Sequence, residues 1–392
     1  MTLGYLVPEF PGQTHAFFWR EIRAIEEAGT PVRLYSTRRP PVGSCPHDFA
    51  VEAVRRTTYL FPPRVGPATN HILRHPLRAA KAVAYIAGLK QTSAKGKSRL
   101  LALLPSAAML VADAHKYGVT HLHIHSCADA AHLGALAHIL GNLPYSLTLH
   151  GDLPVYGTDH AAKMKHTRFV AAVTRSLAQQ ISQISPQTKA PVIWMGVDCD
   201  LFVPGLQKVN PVFTVATVAR LNHAKGHRFF LRALARLRDD GTVVHYKIAG
   251  DGPEQNRITA EIRELGLQDQ VEMLGPLDET AILGLLQGVD ALALTSIGKG
   301  EAAPVTVMEA MSCGLPVICS RIGGTPDMIQ HNVDGLLVEQ EDVSAIAGMT
   351  ARLARDPDLC RRIGEAARIT ALSQFDHRLN ARKLLNQIAG TN

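Results

Sequence analysis

Residues 213–237 read FTVATVARLNHAKGHRFFLRALARL. The apolar, β-branched run FTVATVA reads as a buried strand, the polar residues after it as a loop, and the rest as the start of a helix. Further runs of the same kind follow it: VVHYKIAG (243–250), QVEMLG (270–275), DALALTS (290–296) and LPVICS (315–320), each separated from the next by a helical pattern. Before it come LGYLV (3–7), a helix from about Phe17 to Glu27, and PVRLYS (31–36). THLHIHS (120–126), YSLTLH (145–150), RFVAAVT (168–174) and PVIWMG (191–196) are parted by Ala-rich helical stretches. Strands alternating with helices are the signature of βαβ units and parallel sheets, so the fold class is α/β. The stretch GVDCDLFVPGLQKVNP (196–211) is rich in Pro, Gly and Asp and reads as a linker. The chain is therefore expected to hold two doubly wound, Rossmann-like halves. Ligands in such sheets sit outside the carboxyl ends of the strands, which points to the cleft between the halves.

Composition narrows the function classes. The 392 residues are 46% hydrophobic and 19% charged, ordinary for a soluble protein and long for one core. The start, MTLGYLVPEF, lacks a charged n-region followed by a long apolar core, and no uncharged apolar run reaches the ~20 residues of a membrane span. The six cysteines form no CxxC pair and read as reduced thiols of a cytoplasmic protein. The net charge of +7 is uneven: residues 1–205 carry 21 Lys/Arg against 12 Asp/Glu, residues 206–392 carry 20 against 22. From Ala53 to Ala112 there are ten Lys/Arg and no acid. With Ile72, Leu73, Leu77, Val83, Ile86 and Leu89 at helical spacing, this stretch is suited either to peripheral contact with anionic lipid or to a plain solvated face. No nucleic-acid partner is expected, because aromatics are not interleaved with the basic residues.

Several loops carry chemistry. Arg220 and Lys225 fall between a buried strand and a helix start, where two cations and a helix N-terminus make an anion site, most plausibly for phosphate. IAGDGPE (248–254) is a second strand-to-helix turn, and neither it nor the first loop is the GxGxxG of a dinucleotide dehydrogenase. In GEAAPVTVMEAMSCG (300–314), Pro304 is expected in the first turn of a helix stopped by Gly314 and Pro316. Glu301 then lies on the loop before the helix and Glu309 in its second turn. The free amides around Ala302, Ala303 and Val305 can meet an anion; Pro304 has none to offer. HLHIHS (121–126) places His121, His123 and His125 on one strand face, a pattern compatible with metal but without an evident completing acid or cysteine in sequence. LTLHGDLP puts His150 and Asp152 at a strand's carboxyl end. VPEFPGQTHAFFWREI (7–22) has Gly12 in the turn and Thr14 as a candidate N-cap.

Together these motifs resemble the retaining glycosyltransferases of family 4, the group 1 glycosyltransferases of GT-B fold. VARLNHAKG, IAGDGPE, VEMLGPL, GEAAPVTVMEAMSCGLPVICSRIGGTPDMI and NVDGLLV carry the resemblance, with GVDCDLF similar to the family's interdomain segment and SQFDHRLNARKLL to its returning last helix. It implies an acceptor-binding domain over 1–197, a nucleotide-sugar domain over 198–374, and a C-terminal helix over 375–392 crossing back. It implies a nucleotide diphosphate sugar donor, a saccharide or lipid-linked acceptor, and no cofactor or metal. By the same resemblance Arg220 and Lys225 would hold the diphosphate, Glu309 the ribose hydroxyls, and Glu301 the hydroxyls of the transferred sugar. The backbone at 302–305 would lie near sugar and phosphate. His150 would contact a distal sugar hydroxyl, Gly12 would allow close approach to the phosphates, Asp152 would position the acceptor, and Pro276 and Leu277 would meet the base. Many members follow the first glutamate with Gly-Phe or Gly-Ile; here Ala302-Ala303 stand there, so the donor sugar stays open. A UDP-sugar is the first expectation and GDP-mannose the second, in exopolysaccharide or envelope polysaccharide synthesis. A sugar-nucleotide epimerase of the same fold and a non-catalytic sugar-nucleotide-binding subunit are the alternatives.

Overall fold

Twelve short strands among the described residues form two parallel sheets, and each sheet is buried on both faces by helices. The computed structural model describes residues 1–12, 15–45, 47–206, 210–298 and 301–391, so the expected cap Thr14 and the loop residue Gly300 lie outside them. The first sheet contains β1 (Thr2–Glu9), β2 (Val32–Arg38), β3 (Thr58–Phe61), β4 (Val119–Ile124), β5 (Tyr145–Leu149) and β6 (Thr167–Ala172). The second contains β7 (Thr214–Val218), β8 (His245–Ala249), β9 (Val271–Gly275), β10 (Ala291–Leu294), β11 (Val317–Ser320) and β12 (Leu336–Val338). Their orders are β3-β2-β1-β4-β5-β6 and β12-β11-β10-β7-β8-β9. Counted from its own first strand, each sheet has the same doubly wound order. The chain builds outward on one side, then crosses to the other, so β1/β4 and β7/β10 are the topological switch points where ligands of such sheets bind. The α/β, twice-repeated Rossmann-like architecture is as the strand–helix alternation predicts.

By contacts the chain falls into two units, Met1–Trp194 with Asn380–Asn392, and Met195–Leu379. In the first, Leu3, Tyr5 and Val7 of β1 pack on Phe18, Ile22 and Ile25 of the helix Ala16–Glu27, and on Ala381, Leu384 and Ile388 of the helix His377–Ala389. All these side chains are buried. Burying each large one is worth roughly 1.5–3 kcal/mol, which makes the end of the chain an integral part of the first unit's core. In the second unit Val215, Ile248, Ala293, Ile318 and Leu336 pack with Phe230, Leu234 and Leu237 of the helix His227–Asp239, and with Ile346, Leu353 and Ile363.

The basic stretch is not one continuous amphipathic helix. Pro76 starts a new helix, Pro76–Ala87, directly after Val65–Arg74, because proline cannot sit in a helix interior without losing a backbone bond. The apolar residues divide accordingly. Ile86 and Leu89 are buried, while Leu73 (73% exposed) and Leu77 (79%) face outward beside Arg74, Arg78 and Lys81. Among the described residues no helix is long and apolar enough to cross a membrane.

Candidate functional site

In the second unit the loops after β7 and β10 meet at the switch point. The loop after β7 is fixed by its neighbour: the Ala219 amide donates to the Ala249 carbonyl (3.0 Å), that of Leu221 to Asp251 (2.7 Å), and that of Glu254 to Leu221 (3.0 Å). Asn222 caps the short turn His223–Lys225 through the Lys225 amide, and Gly226 then opens the helix His227–Asp239. Gly226 has φ +64°, and a Cβ there would lie 2.0 Å from the Thr295 carbonyl oxygen, so only glycine lets the two loops touch. The Ile297 amide bonds Ala224 (2.8 Å), and Thr295 Oγ1 bonds the Gly226 carbonyl (3.1 Å). Arg220 stands exposed on this braced loop. Among the described residues its side chain has no ion-pair partner.

Glu301 is the anchor of the site. Its Oε2 accepts from Lys225 Nζ at 2.5 Å and from Ser296 Oγ at 2.7 Å, and its carbonyl accepts from the Gly324 amide at 3.2 Å. Both ionic side chains are mostly covered, at 23% exposure for Lys225 and 12% for Glu301. Gly323 (φ +53°) presses so closely on this carbonyl that a Cβ would lie 1.6 Å from it. The helix after Glu301 is Val305–Ser312, one residue later than the sequence reading. Pro304 has ψ 115°, an extended value, and serves as the N-cap outside the helix. Its carbonyl accepts from Val307 (3.1 Å) and Met308 (3.5 Å). Among the described residues no hydrogen-bond partner is found for the amides of Ala302, Ala303, Val305 and Thr306, and Thr306 Oγ1 is likewise buried without one. Unmet donors at a helix start form an anion site. Ala303 and Pro304 are buried and Ala302 and Val305 half-buried. Glu309 is 8% exposed in the second turn of that helix. Pro276 is exposed and Leu277 half-buried just beyond β9.

In the first unit the switch point gathers histidines. His15 donates its amide to the Gly12 carbonyl (3.0 Å), and its ring lies against Phe10 and Phe18. His150, just past β5, stacks on His125 with centroids 5.3 Å apart, and the nitrogens His125 Nδ1 and His150 Nε2 are 3.1 Å apart. The His150 amide donates to Tyr156 Oη (2.9 Å). Burial pushes both His125 and His150 down to about 3, so both rings are neutral at physiological pH. Asp152 is engaged otherwise: Gln180 Nε2 donates to its Oδ1 (2.8 Å) while the Leu153 amide donates to Gln180 Oε1 (3.2 Å). The histidines of β4 bond to hydroxyls of β5, though His121 Nδ1 has no partner among the described residues. His121 Nε2 and His123 Nδ1 each pair with Ser146 Oγ (2.8 Å), and His123 Nε2 with Thr148 Oγ1 (2.9 Å). Sequence reasoning missed Glu21, Ser296 and Gly323. Glu21 had a signal, since it falls on the apolar face with Phe18, Ile22 and Ile25; the other two are set by contacts between distant loops.

Residues 204–370 match the family model of the glycosyl transferases group 1. This segment contains β7 to β12 and the whole Lys225–Glu301 site. The chain is 30% identical over 204 residues to the amylovoran biosynthesis glycosyltransferase AmsK of Erwinia amylovora, covering 51% of this chain and 50% of that protein. It is 27% identical over 292 residues to the N-acetyl-alpha-D-glucosaminyl L-malate synthase of Bacillus anthracis, covering 69% and 75%. The chain spans about half the length of the first curated relatives it matches. The match and the relatives' names support the group 1 family. Anabaena Alr3699/HepE, solved in complex with UDP-glucose, aligns over 100% of both chains with a TM-score of 0.70 and 18% identity. A likeness at that identity shows the fold, two Rossmann-like α/β domains of the GT-B class.

Proposed function

We propose that the protein is a glycosyltransferase that moves a hexose, with retention, from a nucleotide diphosphate sugar to a glycan or lipid-linked saccharide in exopolysaccharide or envelope polysaccharide synthesis. The observation that carries the reading is the second unit's switch point, where the Lys225–Glu301 pair is braced beside helix-start amides and an arginine that find no partner among the described residues. The name of AmsK supports the pathway class, and UDP-glucose in HepE supports a UDP-sugar ahead of GDP-mannose. As the bond to the anomeric carbon breaks, that carbon gains oxocarbenium character and charge gathers on the departing diphosphate. Arg220, Lys225 and the amides at 302–306 stabilise that charge by fixed dipoles and cations, with no reorganisation at the moment of reaction. Glu301 holds sugar hydroxyls, Glu309 the ribose, and Pro276 and Leu277 the base. In the first unit His150 meets a distal sugar hydroxyl, Gly12 admits the phosphates, and Asp152, already bonded by Gln180, orients the acceptor side. The acceptor attacks on the face the diphosphate leaves, and the leaving phosphate takes its proton. No second carboxylate nucleophile is needed, unlike the paired acids of retaining hydrolases.

The test is a donor panel of UDP-glucose, UDP-galactose, UDP-GlcNAc and GDP-mannose with saccharide acceptors, run with EDTA present. Acceptor-dependent release of UDP or GDP, undiminished by EDTA, is expected. Interconverted sugar without release would make the protein an epimerase, and binding without turnover a non-catalytic subunit. Activity abolished by EDTA and restored by Mg²⁺ or Mn²⁺ would overturn metal independence.

The exposed Leu73 and Leu77 among Arg74, Arg78 and Lys81 support peripheral contact with the anionic inner face of the cytoplasmic membrane, apt for a lipid-linked acceptor. The protein is expected to float with anionic but not neutral liposomes, and to be released by salt. Absence of salt-sensitive flotation would sink this part.

A further inference from the structure

The first unit buries an acid that the proposed chemistry does not use. Glu21 is 7% exposed, and among the described residues no Lys or Arg pairs with it. An isolated carboxylate in such a place is costly unless hydrogen-bonded, so its neighbours explain it. Tyr5 Oη of β1 donates to Glu21 Oε1 at 2.8 Å. His125 Nε2 lies 3.1 Å from the same oxygen, in an approach too oblique for an in-line hydrogen bond. The other nitrogen of His125, Nδ1, is the one 3.1 Å from His150 Nε2. His150 Nδ1, at the far end of this series, is buried with no hydrogen-bond partner among the described residues. Phe18 packs edge-on against both imidazoles, at 4.8 and 5.4 Å between centroids, and Phe17 flanks His150 at 5.4 Å.

Glu21, His123 and His125 also place ligand atoms within 4.8 Å of one another, as a metal site would. Both nitrogens of His123 are taken by Ser146 and Thr148, however, which leaves the acid and His125 as a pair rather than a ligand set. The proton order of the series then follows from donors and acceptors. A bare imidazole nitrogen 3.1 Å from a carboxylate oxygen would set lone pair against lone pair, so the contact, though oblique, favours the His125 proton on Nε2 and a bare Nδ1. That bare nitrogen requires the proton of His150 on Nε2, and leaves His150 Nδ1 bare as well.

We propose that Glu21 is a positioning residue that acts through His125 to hold His150 in one orientation and one tautomer, with Nδ1 free to accept a hydrogen bond from a hydroxyl of the bound sugar. The inference rests on the reading of His150 as a donor-sugar contact. Its test separates the two. Full-length protein labelled with [15N]histidine, without ligand, gives the tautomer of each ring from two-bond proton–nitrogen spectra, with His125→Phe and His150→Ala spectra assigning the signals. Both rings are expected to be neutral at neutral pH, with the proton on Nε2 alone. Glu21→Leu should shift the His150 nitrogens toward a mixture of tautomers, and lower kcat/KM for transfer by roughly three- to tenfold, the worth of one well-aimed hydrogen bond. Tyr5→Phe, which keeps the carboxylate and both rings, should preserve the His150 pattern. If Glu21→Leu does not fold, His125→Phe breaks the same series and should shift the same signals. A proton on His150 Nδ1 in the wild type, or His150 signals unmoved in Glu21→Leu and His125→Phe, would overturn the proposal. Wild-type protein that transfers nothing would instead overturn the functional reading, with the spectra still deciding the tautomer.

Discussion

Replacing Arg220 by alanine is expected to lower kcat for glycosyl transfer roughly 100- to 1,000-fold, with a smaller rise in donor KM. The effect follows from where charge appears. The ground-state diphosphate already carries charge, but more arrives as the glycosidic bond breaks, so a fixed cation stabilises the transition state more than the bound donor. Arg220 is suited to this because its loop is pinned by three backbone bonds to the neighbouring loop, while its guanidinium is free among the described residues. Lysine at this position should recover only part of the loss, since an ammonium cannot bind two phosphate oxygens in a planar fork. Steady-state kinetics with the preferred donor reads the effect. A fall in kcat below tenfold would remove Arg220 from the transition state.

Glu301 should matter as much, for a different reason. Glu301→Gln keeps the shape but removes the charge that holds Lys225, whose side chain is only 23% exposed. The substitution is expected to reduce kcat/KM by roughly 100-fold and to lower stability by about 1–3 kcal/mol, discounted because both side chains keep some contact with water. Gly323→Ala separates geometry from charge. It retains the carboxylate, yet its Cβ would lie 1.6 Å from the Glu301 carbonyl oxygen, so the backbone of Glu301 must move. It should lose activity comparably while the Lys225 and Glu301 side chains remain present. Kinetics together with thermal unfolding of both variants checks this. Normal turnover by Gly323→Ala would mean that the placement of Glu301 is not what the site depends on.

The fold was legible because parallel strands buried on both faces write themselves as short apolar runs; FTVATVA and DALALTS contain β7 and β10 and overrun them at their ends. The loops were legible as strand-end loops carrying Arg220, Lys225 and Glu301, whose roles in chemistry are proposals. Their pairing was not. Lys225 and Glu301 are 76 positions apart, and only the adjacency of β7 and β10 joins them. The helix start shifted by one residue because Pro304 fixes φ but leaves ψ free, and an extended ψ makes it a cap. Glu21 was passed over because an acid within an amphipathic helix is usually solvated. Here its place between Phe18 and Ile22 turns it inward, toward Tyr5 and His125. In the basic stretch, helical spacing alone did not show that Pro76 would split the apolar residues between core and surface.

We propose that the β7/β10 switch point holds a nucleoside diphosphate. Calorimetric titration of the wild type and of Arg220→Ala with UDP and with GDP tests it most directly. One of the two nucleotides is predicted to bind the wild type at a single site per chain, and Arg220→Ala to weaken that binding roughly ten- to hundredfold. Failure of both nucleotides to bind, or binding that Arg220→Ala leaves unchanged, would contradict it.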